Sequence, residues 1–242
     1  MLRKVDIRGL KIADVTMDEA VRFISDKLSS GESISVFTPN AEIAYRAIKE
    51  PSLTDLLNRC DMAVPDGIGI VKASRILACP LREKVAGVDL GLKVAELAEK
   101  DGYRIFLYGG KPGVAEKAKE ELEKRYPHIN IVGVSHGFRN DYTAVFNEIH
   151  RSDAEILYVC LGSPLQEKWI DENKHRLPCV KLFMGLGGSL DIYSGNVRRA
   201  PRIFIRLGLE WLYRLLSEPG RLLRMTALPR YYFGTWLYSL RK

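Results

Sequence analysis

The sequence predicts an α/β fold, in which a Rossmann-like, mostly parallel sheet is flanked by helices and followed by a basic helical appendage. Two observations predict the sheet. Apolar runs of strand length are nearly continuous, as in strands buried on both faces, and helix-like segments alternate with them. A third observation predicts the appendage: ten of the 37 basic residues, but only two of the 30 acidic ones, follow residue 197. The 242 residues suffice for one such domain.

The predicted elements follow in order along the chain. Residues 4–15 are expected to add a hairpin or an edge strand. Apolar runs bounded by turn residues predict strands over 34–40, 61–66, 104–110, 129–137, 156–162 and 180–188. Helical patterns occur over 88–100, 114–126, 142–152 and 165–175.

Each predicted strand is followed by glycine or by small and polar residues. Ligands of parallel α/β sheets bind beyond the carboxyl ends of the strands, so these six ends predict one shared cleft. Glycine and proline also end strands where no ligand binds, but six such ends in register favour a site. They are Thr38-Pro39-Asn40, Pro65-Asp66-Gly67, Gly109-Gly110-Lys111, His136-Gly137-Phe138, Gly162-Ser163-Pro164 and Gly187-Gly188-Ser189.

The glycine-rich turn from Gly109 to Gly113 precedes a predicted helix. Glycines let a ligand approach the backbone, and a helix N-terminus favours an anion. The turn resembles a dinucleotide site, but it lacks the Gly-x-Gly-x-x-Gly spacing. An NAD-dependent enzyme would also carry an acidic residue about 20 residues later at the next strand end, and residues 130–134 contain none. We therefore expect an anionic ligand other than NAD.

Asp66 is the candidate general base. It directly follows a predicted strand, with Pro65 before it and Gly67 after it. A carboxylate at a strand tip beside glycines is well placed to accept a proton. The alternative is that Asp66 caps the helix that begins near Gly67.

Four other polar side chains are candidates for substrate contacts, and each has an alternative as a helix cap. Thr38 and Asn40 end the first long strand, where they would bind a sugar or a base, and Gln166 begins a helix facing the same cleft. Asp191 follows two glycines and would accept hydrogen bonds from a ribose or a uracil. His136 also ends a strand, but a solvated or structural role is the better interpretation there.

We expect no metal and no cofactor. No Asp-x-Asp pair stands at a strand tip, and Asp153-Ala154-Glu155 lies at the start of a strand, which is the wrong end. The four cysteines form no Cys-x-x-Cys pair, which argues against zinc and favours a reducing compartment. The diphosphate of a nucleotide sugar would then be neutralised by basic side chains and backbone amides.

The appendage combines arginines with apolar and aromatic residues. Arg202, Arg206 and Arg214 recur at helical spacing beside an apolar stripe, and residues 231–238 are rich in aromatics. A break at 218–220 predicts a second short helix that begins with Arg221. Tyrosine, tryptophan and arginine together favour an anionic membrane surface. The alternatives are a helical hairpin docked on the domain and an RNA-binding segment.

No apolar run approaches the ~20 residues that a spanning helix needs. The N-terminus also lacks the apolar core of a signal peptide. The sequence therefore predicts a protein that does not cross the membrane.

Taken together, these segments resemble the WecG/TagA/CpsF glycosyltransferase family over residues 5–228. Each motif is modest alone, but their order and joint presence are specific. In the body the matching segments are Thr38-Pro39-Asn40-Ala41-Glu42, Val64-Pro65-Asp66-Gly67, Val85-Ala86-Gly87-Val88-Asp89, Leu161-Gly162-Ser163-Pro164, Gln166-Glu167-Lys168-Trp169 and Gly187-Gly188-Ser189. In the appendage they are Arg199-Ala200-Pro201 and Gly208-Leu209-Glu210-Trp211-Leu212-Tyr213-Arg214.

The resemblance implies a site as well as a fold. It places the base at Asp66 and two further active-site positions at Thr38 and Gln166. It implies that appendage arginines close over the diphosphate at the membrane: Arg214, Arg221 and Arg224. The chain departs from the teichoic-acid branch at Lys84, where that branch has an arginine; lysine keeps the charge but loses the two-pronged hydrogen bond. The substrate-binding set expected from motif and resemblance together is Asn40, Lys84, Gly109, Gly110, Gly162, Gly188, Asp191 and the three appendage arginines.

The reaction implied is inverting, metal-independent transfer of N-acetylmannosamine from UDP-ManNAc to the 4-hydroxyl of GlcNAc on undecaprenyl diphosphate. Expected partners are thus a UDP-sugar donor, a polyprenyl-diphosphate-linked acceptor and the anionic cytoplasmic face of the membrane, with no nucleic acid. We expect a glycosyltransferase domain over 1–195 and a membrane-binding appendage over 196–242. N-acetylmannosaminuronic acid or glucose as the transferred sugar, a non-catalytic UDP-sugar sensor, and a homodimer that dissociates at the membrane stay open as hypotheses.

Overall fold

A six-stranded parallel sheet forms the centre of the protein, which a computed structural model describes over residues 2–138, 142–217 and 226–241. The strands run in the spatial order β4-β3-β8-β7-β5-β6, and every neighbouring pair is parallel. Their bounds are β3 (Ile34–Phe37), β4 (Met62–Ala63), β5 (Arg104–Gly109), β6 (Asn130–Ser135), β7 (Ile156–Cys160) and β8 (Leu182–Gly185). The predicted parallel sheet is confirmed.

A separate antiparallel hairpin precedes the sheet, as β1 (Lys4–Ile7) and β2 (Leu10–Ala13). Its two-residue turn places Arg8 and Gly9 at positive φ, and the Asp6 carboxylate accepts a hydrogen bond from the Gly9 N–H at 2.8 Å. The expectation of a hairpin or edge strand over 4–15 thus resolves to the hairpin.

Helices connect the strands. The bounds are α1 (Met17–Ser30), α2 (Ala41–Lys49), α3 (Pro51–Asn58), α4 (Ile68–Ile76), α5 (Gly87–Asp101), α6 (Val114–Arg125), α7 (Tyr142–Arg151), α8 (Leu165–Asn173), a 3₁₀ turn (Lys174–Arg176), α9 (Ser189–Tyr193), α10 (Arg202–Arg206), α11 (Glu210–Ser217) and α12 (Ala227–Ser239). The four helices predicted from periodicity are present, with ends that differ by at most two residues from the prediction.

The strands are shorter than predicted, and the difference lies mainly at their carboxyl ends. Val64 and Leu186 are buried although they follow β4 and β8, so the apolar runs continue into the loops beyond the sheet. Periodicity reports burial rather than pairing, which is why it overestimates strand length where the loops are also buried.

Two apolar layers cover the sheet. One contains side chains from α1, α5, α6 and α9, and the other contains side chains from the hairpin, α2, α3, α4, α7, α8 and α12. Helices that follow neighbouring strands therefore leave to opposite faces in several places, which opens crevices at the carboxyl edge.

The appendage departs from the helix predicted through Arg202, Arg206 and Arg214. Gly208, at φ +70°, ends α10: its N–H donates to Ile205 O at 3.1 Å and the Leu209 N–H donates to Phe204 O at 2.8 Å. These two bonds form a Schellman motif, which stops the helix and lets a new one begin at Glu210. The prediction that Arg202, Arg206 and Arg214 lie on one continuous helix is thus wrong.

Helix α12 packs against α2 and α4, and it buries Tyr231 and Thr235 completely. The docked arrangement weighed from the sequence is confirmed for this helix. Among the described residues, no helix combines the length and the apolar character needed to cross a bilayer.

Candidate functional site

The six strand ends that the sequence singled out lie along one edge of the sheet, because all six strands are parallel. From one side to the other, the edge carries Asp66, Thr38, Gly188, Gly162, Gly109 and His136 after their respective strands. Four strand spacings separate the tip of β4 from that of β5, roughly 19 Å at about 4.8 Å each. A ligand that reaches from the tip of β4 to that of β5 must be elongated.

At the β4 end of the row, three loops are joined through backbone hydrogen bonds. The Asp66 N–H donates to Pro39 O at 3.2 Å, and the Val85 N–H donates to Pro65 O at 3.1 Å. Asp66 is half-buried in this corner, and Gly67 occupies the N-cap position of α4. The N-cap position of α4, which was the alternative role for Asp66, is therefore occupied by Gly67.

The same corner holds the start of α5. A Cβ on Gly87 would lie 2.9 Å from the Thr38 methyl carbon, so Gly87 allows this helix to touch the β3 loop. The residue before this helix, Ala86, supplies no side-chain cap. The uncapped helix start thus lies beside Thr38 and the Asp66 loop, where its positive end favours an anion.

Thr38 and Gln166 meet at the tip of β8. The Thr38 hydroxyl donates to Gly185 O at 2.9 Å, and the Gln166 side-chain oxygen accepts from the Gly187 N–H at 2.8 Å. Both side chains are buried. Gln166 is therefore not a helix cap, the alternative considered for it, because its amide bridges α8 to the loop after β8.

Asn40 caps α2. Its side-chain oxygen accepts from the N–H groups of Glu42 at 3.0 Å and Ile43 at 3.1 Å. The capping alternative is confirmed for Asn40, and any substrate contact falls to its amide nitrogen. Asp191 is the third residue of α9, whose N-cap is Gly188, and its side chain is half-buried at the same edge.

Helices α6 and α8 leave the neighbouring strands β5 and β7 to opposite faces, the arrangement that forms a ligand crevice between strand ends in parallel α/β sheets. Gly109 has φ +134°, and a Cβ there would lie 2.3 Å from Cys160 O, so only glycine fits. The Gly110 N–H donates to Cys160 O at 3.1 Å, and Gly110 O accepts from the Gly137 N–H at 2.9 Å. Gly109 is thus buried against the end of β7, whereas Gly110 and Gly162 are half-buried and a Cβ on Gly162 would meet nothing within 4 Å.

His136, at the far end of the row, has the structural role expected. Its Nδ1 accepts a hydrogen bond from the Phe138 N–H at 3.3 Å.

The appendage contacts the Asp66 corner. Lys84 Nζ lies 3.7 Å from a carboxylate oxygen of Glu210, and both side chains are about one-fifth exposed. A Cβ on Gly208 would lie 3.2 Å from Ile68, and one on Gly69 would lie 3.6 Å from Leu228. Described segments that follow residue 200 therefore contact the helix that begins beside Asp66, through Gly208 and Leu228.

A second ion pair ties the start of the appendage to α5. The Arg199 guanidinium forms a two-pronged contact with the Asp89 carboxylate in the first turn of that helix. Arg82, in contrast, pairs with Glu19 at 2.5 Å and with Asp14 at 3.5 Å, away from the loop of residues 84–87. Lys84 is thus the basic side chain of its loop that points toward the appendage.

The arginines expected to close over a diphosphate are only partly covered by the structure. The backbone of Arg214 lies in α11, but its side chain is outside the described residues, as are Arg221 and Arg224 entirely. In the described ranges, no group of three histidine, cysteine, aspartate or glutamate side chains could hold a metal ion. Metal independence stays a prediction.

The sequence reasoning missed Glu167, whose side chain is 1 % exposed beside Gln166. Burial is the largest influence on this carboxyl and raises its pKa. It also missed the Asp89–Arg199 pair, since neither residue stands at a strand tip. Glu167, Asp89 and Arg199 all lie in segments that match the family, and this match was the only indication of them in the sequence.

Comparison with known proteins finds one family model, described as the Glycosyl transferase WecG/TagA/CpsF family, that matches residues 5–242. The chain is 42% identical over 196 residues to an N-acetylglucosaminyldiphosphoundecaprenol N-acetyl-beta-D-mannosaminyltransferase of Bacillus subtilis strain 168, covering 81% of this chain and 76% of that protein. It is 38% identical over 204 residues to the protein of the same name from Bacillus spizizenii strain W23, covering 84% and 79%.

Proposed function

The chain belongs to the WecG/TagA/CpsF family of glycosyl transferases, and we propose that it transfers N-acetylmannosamine from UDP-ManNAc to the 4-hydroxyl of GlcNAc on undecaprenyl diphosphate. Two relatives at about 40% identity carry the name of that transferase. The observation that carries the chemistry is a half-buried carboxylate, Asp66, in a corner shared with Thr38 and Lys84.

In the proposed reaction, Asp66 is the general base. Its carboxylate accepts the proton of the acceptor 4-hydroxyl as that oxygen attacks the anomeric carbon of the donor sugar. The new glycosidic bond forms while the bond from the anomeric carbon to the UDP oxygen breaks, and UDP departs with the bonding electron pair. A single displacement of this kind inverts the anomeric configuration.

The donor is proposed to lie across the edge of the sheet. Its nucleotide would occupy the glycine-lined crevice at Gly109, Gly110 and Gly162, with Gly188 and Asp191 beside the ribose or uracil. Its diphosphate would then face Lys84 and the uncapped start of α5, where positive charge stabilises the leaving group. The row of roughly 19 Å between β4 and β5 suits a ligand of that elongated shape.

For Lys84 to hold the diphosphate, it must exchange its contact with Glu210 for one with the substrate. The contact is 3.7 Å long and partly solvated, so it is weak enough to be replaced. The bound diphosphate would then also attract the arginines expected from the appendage: Arg214, Arg221 and Arg224.

The appendage, residues 196–242, is proposed to bind the cytoplasmic face of the membrane and to bring the site to its lipid-linked acceptor. Its helices expose large apolar side chains, and Arg206 and Arg230 are exposed among them. Apolar side chains that enter the interface and arginines that meet anionic headgroups are the two components of peripheral binding.

Turnover with a panel of UDP-sugars and a short-chain GlcNAc-diphospholipid tests this function. We expect the disaccharide-lipid product with UDP-ManNAc, in the presence of a chelator, and slower turnover with UDP-GlcNAc or UDP-glucose. Preference for the uronic acid would assign the chain to another branch of the family. UDP binding without any sugar transfer would support a sensor instead, and strict dependence on magnesium or manganese would contradict the mechanism.

A further inference from the structure

Glu167 is a buried carboxylic acid directly beside the proposed active site. It is the third residue of α8, counting Leu165 as the first, and its side chain is 1 % exposed. One carboxyl oxygen, Oε1, accepts a hydrogen bond from Gln166 Nε2 at 3.0 Å. The other, Oε2, is buried and has no hydrogen-bond partner in the structure. A buried carboxyl oxygen without a hydrogen-bond partner is uncommon in folded proteins and calls for an explanation.

The hydrogen bond to Gln166 continues toward the β8 tip. The opposite end of the Gln166 amide, Oε1, accepts from the Gly187 N–H at 2.8 Å. Gly187 has φ +55° and lies in the turn from β8 to α9, next to Gly188. Three groups are therefore connected in a row: the carboxyl of Glu167, the amide of Gln166 and the backbone of the turn.

An amide side chain has a donor end and an acceptor end of nearly the same shape, so packing alone does not orient it. If the Gln166 amide were reversed, its NH₂ group would face the Gly187 N–H, and two donors would meet. The Gly187 N–H therefore selects the orientation seen, and in that orientation Glu167 Oε1 accepts from the NH₂ group, so that both ends of the amide are paired. The space is tight there, since a Cβ on Gly185 would lie 3.0 Å from Gln166 Nε2.

The surroundings favour an uncharged Glu167. Burial raises the pKa of this carboxyl more than the Gln166 hydrogen bond, the Ser163 hydroxyl and the Arg46 charge lower it. An ionised carboxylate with one oxygen buried and unpaired would be costly. A glutamine at this position would supply the same acceptor oxygen without a charge, which makes a rescue experiment decisive.

We infer that Glu167 is a positioning residue of the transferase, which pairs the NH₂ end of Gln166, keeps that amide in place and thereby holds the Gly187–Gly188 turn where the donor binds. The inference rests on the proposed function for its kinetic consequence, but its structural consequence is independent of that function.

The experiment compares Glu167→Gln, Glu167→Met and Gln166→Ala with the wild type and with Glu172→Met, which alters an exposed acid on the same helix. We expect Glu167→Met to lower kcat about tenfold to a hundredfold, because small displacements of positioning groups cost rates of that order. Glu167→Gln should restore most of the activity. Because Glu167 acts through Gln166, adding Glu167→Met to Gln166→Ala should cause no further loss. Glu172→Met should have no effect.

Hydrogen–deuterium exchange over residues 183–192 provides a readout that does not need turnover. Exchange should become faster in Glu167→Met and Gln166→Ala, and should stay at the wild-type rate in Glu167→Gln and Glu172→Met. Unchanged exchange in Glu167→Met, or kinetic losses that multiply in the double variant, would overturn the inference. If Glu167→Met fails to fold, Glu167→Leu replaces it. If the wild type transfers no sugar but the exchange pattern holds, the proposed function fails and the positioning role stands.

Discussion

The body of the protein buries its large apolar side chains, whereas the segment after residue 200 exposes many of its own. Eleven large apolar side chains are exposed among the described residues, and nine of them follow residue 200, although that segment is the smaller part of the chain. The two in the body are Phe138 and Leu165. The body buries large side chains such as Tyr108, Phe106 and Phe183 completely within its two layers.

This contrast indicates that the two regions satisfy their apolar surface with different partners. The body closes on its own core, whereas α12 buries one side, through Tyr231 and Thr235, and leaves Phe233 and Trp236 exposed on another. A cluster of exposed apolar side chains is typical of a surface that meets a membrane or a protein. In the proposed function the body performs the chemistry and the appendage brings it to its lipid substrate, and three predictions separate these tasks.

The largest effect is expected from the body. Asp66→Asn keeps the shape of the side chain but removes the base, and kcat should fall about 10²–10⁴-fold. Vesicle binding should not change, because the substitution leaves the appendage intact. Steady-state turnover and vesicle co-sedimentation measure the two quantities on the same preparation. Near-full activity of Asp66→Asn would reject Asp66 as the base.

The second effect is expected from the appendage alone. Replacing Leu207, Leu216 and Phe233 together by serine removes three side chains that are 62–69% exposed and therefore contribute little to the fold. Binding to anionic vesicles should fall about a hundredfold, since burying the exposed two-thirds of each side chain contributes about 1 kcal/mol, or about 3 kcal/mol for the three together. Circular dichroism should be unchanged.

The matched control for the triple variant is Phe138→Ser, because Phe138 is 67% exposed but belongs to the body. It should bind vesicles as the wild type does. Equal losses in both variants would show that exposure, rather than membership of the appendage, determines vesicle binding, and would remove the basis of the comparison.

The smallest effect is expected where the regions meet. Lys84→Gln removes the charge proposed to stabilise the leaving diphosphate, and kcat/KM for the donor should fall about tenfold, the effect of losing a hydrogen bond to a charged group. Lys93→Gln, on the exposed side of α5, should match the wild type. Lys84→Arg should retain activity. Full activity of Lys84→Gln would show that Lys84 does not stabilise the diphosphate and serves only in its contact with Glu210.

Much of the fold and part of the site could be predicted from the sequence. Continuous apolar runs predicted parallel strands, and the parallel arrangement alone brought Thr38, Asp66 and Gly188 to one edge. The strand lengths and the appendage helices were predicted less well. Val64 is buried although it lies beyond its strand, so the apolar run overestimated the strand length. The helical spacing of the arginines predicted one helix where a Schellman motif at Gly208 ends α10.

The contacts within the site could not be predicted, because their partners are distant in the sequence. Gln166 as a bridge to Gly187, rather than a helix cap, depends on how α8 packs against β8. The Asp89–Arg199 pair joins residues 110 positions apart, and no local pattern reports such a distance.

By itself, the sequence determined the layer architecture, the row of candidate residues and the family, since hydrophobic periodicity and motif order are local properties of the chain. Tertiary structure decided which of those side chains already have partners and which face the cleft. It also decided that the appendage lies against the helix beside Asp66. These outcomes depend on how elements that are far apart in the sequence pack together. Only that packing brings each polar group to its hydrogen-bonding partner.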